Sequence, residues 1–399
     1  MRINRNYLQL SENYLFTTIA AKTREFQAAH PEQTVIKLSI GDVSRPLPAA
    51  VVTAMQQACQ EMGQVETFHG YGPEIGYPWL REAIARDYQM RLGLTIDPEE
   101  IVVSDGAKSD IANLLDIFDR RASVAMCDPV YPVYWESNLM RGCRPRLFRA
   151  TAQNGFLPMP NRHCRAAIIY LCNPANPTGV CYTREQLQQW VDFALRTNAV
   201  ILYDAAYACF IQDAQLPQSI YQIPGARKCA IEVCSFSKMA GFTGVRCGYT
   251  IVPKHLCWRG VSLNQLWRRR QSAKFNGVSY IVQRGAAAVY TPAGQAAVQK
   301  NLAYYRRNVQ LLAQTLTKIK LDYVGGEHSP YLWVRCPQGM EAWQFFDKLL
   351  AEVGIVCTPG VGFGPAGEHY VRLTGFNTAA NTTRACQRLL KWSPRLSRN

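Results

Sequence analysis

The chain has 399 residues, 48% of them hydrophobic, which is enough to bury one large core and a second, smaller one. Its formal charge of +15 is spread along the chain, and the sharpest cluster, Trp267–Arg270, is short; this predicts solvated basic faces that steer anions, with no nucleic-acid partner. No run approaches 18 uninterrupted apolar residues and Met1–Gln9 has no apolar signal core, which predicts a cytoplasmic protein with no membrane partner.

In chain order, residues 1–40 read as an N-terminal segment, 41–289 as a large domain and 290–399 as a smaller α+β domain on which the N-terminal segment packs. Between about 95 and 255, short apolar runs alternate with longer amphipathic ones. Strands are expected at 101–103, 123–126, 166–171, 199–203, 230–234 and 248–252, with helices at 109–118 and 183–197. Thr183 followed by Gln186 predicts a capping box at the second helix. Nearly continuous apolar strands separated by helices predict a parallel sheet covered on both faces. Beyond 290 the pattern predicts a helix over 295–319 and strands at 331–334, 354–357 and 370–374. The fourteen cysteines run from Cys59 to Cys386, often inside apolar runs and without a Cys-x-x-Cys pair. They read as buried free thiols; disulfides and structural zinc are not expected.

Chemistry concentrates where the apolar strands end, the edge at which open α/β sheets gather ligands. One strand runs into Asn173-Pro-Ala-Asn176-Pro-Thr-Gly179, the next into Asp204-Ala-Ala-Tyr207, and a third into Ser235-Phe-Ser237-Lys238. An amide, a carboxylate with a phenol, and a lysine preceded by two hydroxyls match the needs of pyridoxal phosphate. Lys238 supplies the amine, Asp204 the partner of the pyridine nitrogen, and Tyr207 and Asn176 donors to the ring oxygen. Ser235, Ser237 and Arg246 suit the phosphate. The turn Ser104-Asp-Gly106 leads into a helix whose Ala107 and Lys108 N–H groups can point at an anion. Tyr131 can stack on the ring. Each feature has a plainer reading, as surface loop, helix cap, turn or core; their order and common placement at strand ends favour the functional one.

These motifs resemble those of the class I/II aminotransferases of pyridoxal-phosphate fold type I, the aspartate-aminotransferase-like fold. That fold is α/β: a large coenzyme-binding domain with a mostly parallel sheet between helices, plus a smaller α+β domain. The runs Gly70–Tyr77, Asp105–Lys108, Asp128–Tyr134, Ser235–Arg246, Phe275–Gly277 and Tyr370–Thr374 are more closely similar to the LL-diaminopimelate aminotransferases. The resemblance covers nearly the whole chain. It implies a homodimer with shared active sites, to which the neighbouring subunit brings Tyr71 and Asn276. It also implies that Arg372 clamps the substrate α-carboxylate and that Tyr14, Gly41, Glu74 and Lys108 line the distal end. The implied reaction is ping-pong, exchanging LL-diaminopimelate and 2-oxoglutarate for tetrahydrodipicolinate and glutamate, with Lys238, Asp204 and Tyr131 at the catalytic centre. Other readings are a fold-type-I aminotransferase for aspartate, alanine or aromatic amino acids, a lyase of the same fold, or a non-enzymatic regulator.

Overall fold

The computed structural model of the chain describes residues 1–10, 15–161 and 164–396. Its main sheet has seven strands: β1 (Ile101–Ser104), β2 (Val124–Asp128), β3 (Arg146–Arg149), β4 (Ile168–Cys172), β5 (Val200–Asp204), β6 (Ala230–Ser235) and β7 (Gly248–Ile251). Their spatial order is β1-β7-β6-β5-β4-β2-β3. β4 and β6 are closed to solvent along almost their whole length, as expected of strands covered on both faces.

The sheet is mostly parallel, as expected, with two features that the sequence did not single out. β7 runs antiparallel to both of its neighbours. The short helix Phe236–Ala240 and its turn keep the chain at the edge where β6 ends, so it re-enters the sheet in the opposite direction. β3 went unforeseen because Arg-Leu-Phe-Arg is mostly exposed; it is an edge strand whose arginines discourage further pairing.

The helix over 183–197 forms as Arg184–Thr197, with Thr183 and Gln186 in the predicted reciprocal cap, an arrangement worth about 1 kcal/mol. The helix expected from Ser109 starts at Ala107, and its end tightens into a 3₁₀ turn over Leu114–Ile117. The long helix begins at Pro292 under a Thr291 cap and ends at Lys318.

A second hydrophobic core forms around Val309, Leu312 and Leu316 of that helix, together with Phe345, Phe346 and Val371. It is covered by a four-stranded antiparallel sheet ordered Tyr323–Gly325, Tyr331–Arg335, Tyr370–Thr374, Thr358–Pro359. The expected strand at 354–357 forms only over Ile355–Val356, and a separate short strand follows it. Ile355–Val356 pairs in parallel with Ile36–Lys37, and Thr358–Pro359 pairs with Tyr370–Thr374. Ile19, Ile36 and Leu38 of the N-terminal segment are buried in this second core.

All fourteen cysteines are free, but they are not uniformly buried: Cys59 and Cys257 are exposed. Cys59 lies on an outward face of the helix Ala49–Met62 and Cys257 in a small two-stranded hairpin. Among the described residues no helix is long and apolar enough to cross a membrane, and no cluster of side chains suits a metal ion.

Candidate functional site

Parallel pairing of β2, β4, β5 and β6 brings the ends of these strands to one sheet edge. β1 joins them, because β7 is antiparallel both to it and to β6. Ser104 and Ser235 flank Gly248 in register. A side chain at Gly248 would stand 2.7 Å from the Gly106 backbone, so glycine there lets the β1 turn close over the sheet edge. Gly106 itself has φ +134° and faces the guanidinium of Arg246, which lies 2.7 Å from where a Cβ would be. Arg246 donates through Nη1 to Ser237 Oγ (3.1 Å) and to the carbonyls of Phe242 and Thr243 (both 3.3 Å). Ser235 Oγ accepts from Ser237 N (3.1 Å), capping the helix that carries Lys238.

These groups open on a cleft of about 470 Å³, which is also lined by Gly41, Ala107, Lys108, Tyr131, Asn176, Asp204, Tyr207 and Arg372. Lys238 donates to the Gly41 carbonyl and sits 5.6 Å over the Phe376 ring. Burial moves its amine from the ordinary 10.5 to about 8; Asp42 opposes that shift, while Arg372 and Arg246 add to it. Asp204 is 5% exposed, accepting from Tyr134 Oη at Oδ2 (2.5 Å) and from Ala206 N at Oδ1 (2.9 Å). Burial raises its carboxyl pKa, against the pull of those two donors.

Arg372 is the most enclosed of the cations, at 2% exposure. Nη1 donates to Asn176 Oδ1 (2.7 Å) and Nη2 to the Ser39 carbonyl (2.9 Å), while Nε is buried without a partner. Its guanidinium lies 4.3 Å from the Tyr331 ring centroid and 4.8 Å from that of Phe363. The Asn176 oxygen is thus committed to Arg372, which leaves its amide nitrogen for any other acceptor. Tyr207 exchanges a 2.6 Å hydrogen bond with Tyr331.

Tyr331, Tyr134 and Phe376 are contacts that sequence reasoning missed. Tyr331 begins a strand distant in the chain from Tyr207, and Tyr134 is the second tyrosine of a run in which only Tyr131 had been given a role. No local pattern distinguishes either from core. Tyr131 meets Tyr134 edge-on, with ring centroids 5.7 Å apart. Lys108 stands close enough to Glu136 to oppose the upward shift that burial gives that carboxyl.

Three predicted residues, two of them expected to serve the neighbouring subunit, lie outside the cleft of their own chain. Tyr71 is 95% exposed, and Glu74 and Asn276 are exposed with it. They belong to one surface: Ser272 Oγ reaches Glu74 Oε1 at 3.4 Å, and Gly277 packs against the Pro73 carbonyl and Glu74 backbone. Asn276 holds φ +67°, which turns the chain there. Tyr14 lies outside the described residues.

The family described as aminotransferase class I and II matches residues 33–389. An LL-diaminopimelate aminotransferase from Parabacteroides distasonis is 49% identical, covering 98% of this chain and 99% of its own. The solved structure of the L,L-diaminopimelate aminotransferase from Chlamydomonas reinhardtii superposes with a TM-score of 0.93 at 38% identity, over 98% of each chain. A Thermus thermophilus aspartate aminotransferase, 23% identical, covers 98% of this chain and all of its own at a TM-score of 0.86, sharing the fold.

Proposed function

The chain belongs to the class I and II aminotransferases, and on that premise we propose that it exchanges LL-diaminopimelate and 2-oxoglutarate for tetrahydrodipicolinate and glutamate with pyridoxal phosphate as coenzyme. The observation that carries the reading is a half-buried amine of lowered pKa, a buried carboxylate and a buried, partly unsatisfied guanidinium opening on one cleft. The cleft suits the coenzyme. The face between Gly106 and Arg246 has no room for a side chain and presents a guanidinium, hydroxyls and backbone N–H groups, a donor set that fits a phosphate.

When bound, the coenzyme supplies an aldehyde that joins amines and a pyridinium ring that draws electrons from the substrate Cα–H bond. The chain's own residues do the rest. Ser235, Ser237, Arg246 and the backbone of Ala107 and Lys108 hold the phosphate, and Tyr131 stacks on the ring. Tyr207 and the Asn176 amide donate to the ring oxygen. Asp204 keeps the ring nitrogen protonated; its burial disfavours a lone carboxylate, and a cationic partner reverses that preference. Lys238 would carry the coenzyme and take the substrate Cα proton; an amine whose pKa burial lowers to about 8 is partly neutral at working pH and suits that role. Arg372 binds the α-carboxylate of each substrate in turn, the requirement of a ping-pong cycle in one cleft.

The exposed surface completes the site in a homodimer. Tyr71 and Asn276 reach the coenzyme of the neighbouring subunit. Glu74 meets the distal ammonium of diaminopimelate there, with Lys108 at the distal end; Gly41, expected there too, stands instead beside Lys238 and Arg372, where the α-carboxylate binds. The division into 1–40, 41–289 and 290–399, and a place in the cytoplasm, accompany this reading. A coupled assay with purified LL- and meso-diaminopimelate, aspartate, alanine and phenylalanine, each with 2-oxoglutarate, tests it. Turnover should be greatest with LL-diaminopimelate. Faster turnover of aspartate or phenylalanine contradicts the substrate, and product release without a keto-acid acceptor contradicts transamination.

A further inference from the structure

The Asp204 carboxylate is held by a side chain with no role in the reading above. The helix Pro132–Arg141 starts immediately after Tyr131 and places Tyr134 one turn beyond the sheet edge. Tyr134 is 1% exposed. Its ring stacks on Tyr170 with centroids 4.9 Å apart and planes 19° from parallel. Asn138 Nδ2 fixes that stack, donating both to the Tyr134 carbonyl (2.8 Å) and to Tyr170 Oη (3.2 Å). The phenol so placed donates to Asp204 Oδ2 at 2.5 Å while Ala206 N holds Oδ1. Each carboxylate oxygen has one fixed donor, so the group cannot rotate. Burial and the adjacent carboxylate push the Tyr134 hydroxyl well above its usual range, so it stays a donor at any working pH.

We infer that Tyr134 is a positioning residue for the coenzyme ring: it locks the Asp204 carboxylate ionised and aimed at the ring nitrogen, and its edge contact sets the attitude of Tyr131 above the ring. The inference rests on the proposed pairing of Asp204 with that nitrogen. A charge-assisted hydrogen bond in a buried site stabilises the anion far more than the acid. Without it, the proton shared between Asp204 and the ring moves toward Asp204, and the ring withdraws electrons less strongly.

Tyr134→Phe removes only the hydroxyl and keeps the stack on Tyr170. The test titrates the holoenzyme loaded with ¹⁵N-pyridoxal phosphate, following the ring-nitrogen shift with pH alongside coenzyme affinity. The ring nitrogen should lose its proton about one pH unit lower than in the wild type, and the affinity should fall about tenfold. Should the phenylalanine variant fail to fold, 3-fluorotyrosine at position 134 preserves the packing and strengthens the donor, and the titration should move to higher pH. An unmoved titration in either protein, while Asp204→Asn abolishes ring protonation, overturns the role of Tyr134. An unmoved titration in Asp204→Asn overturns the pairing of Asp204 with the ring.

Discussion

The cleft and the exposed surface around Tyr71 solve opposite problems. In the cleft, Asp204 and Arg372 are buried, with each charge held by donors or acceptors of the same chain. Tyr71, Glu74 and Asn276 lie in the open, and Tyr71, at 95% exposure, buries almost nothing. Groups buried at the cost of their hydration are expected to be preorganised for chemistry, since their dipoles need no rearrangement during reaction. A large aromatic side chain left in solvent gains nothing for its own fold, and a second surface is where it would gain. The contrast is why the proposed chemistry is put in the cleft and the proposed contact with a second copy at the surface around Tyr71.

The largest expected effect falls on the cleft. Lys238→Ala removes the proposed coenzyme-carrying amine and base together, and should lower transamination by about 10⁴-fold or more, with loss of the visible band of the bound coenzyme. A band that survives and is trapped by borohydride places the attachment elsewhere. Arg372→Lys keeps the charge but not the planar fork, and kcat/KM for every amino-acid substrate should drop about 100-fold. A loss confined to diaminopimelate would move Arg372 to the distal end.

Changes on the exposed surface should be smaller and more selective. Glu74→Ala should raise KM for diaminopimelate about tenfold and leave glutamate untouched, with the melting temperature within a few degrees of wild type. Equal losses for both substrates would make Glu74 structural.

The smallest effect is a pH dependence. Because burial disfavours the ammonium form, Lys238 in coenzyme-free protein should be neutral above about 8, against an ordinary 10.5. Its labelling by an amine-reactive reagent, read by mass spectrometry, should therefore reach half its maximum near 8 and level off above that. A lysine in a short model peptide should go on accelerating beyond that pH. A Lys238 profile that follows the model peptide would show that the cleft is more hydrated than its packing implies.

Much of the cleft was legible in the sequence because strand ends are local. Asn176, Asp204, Ser235 and Lys238 each follow an apolar run by a few residues, and the parallel register then brings those ends together. What escaped depends on contacts between distant segments. Tyr331 meets Tyr207 across 124 positions, and Arg372 leans on Ser39 across 333. The antiparallel β7 was equally hidden, since its apolar composition does not encode direction. β3 was hidden because an edge strand need not be apolar. The roles of Tyr71, Glu74 and Asn276 came from resemblance alone, and within one chain their geometry brings them to one another, not to Lys238.

A hybrid dimer tests the division between cleft and surface most directly. Lys238→Ala and Tyr71→Ala chains, each with a different affinity tag, are co-expressed and the mixed dimer isolated. If the site is shared, the Lys238→Ala subunit lends its intact Tyr71 to the intact Lys238 of its partner. One wild-type site then forms, and the hybrid should show about half the wild-type activity while both parent dimers show far less. A hybrid no more active than the average of its two parents would contradict the shared site and return Tyr71 to its own chain.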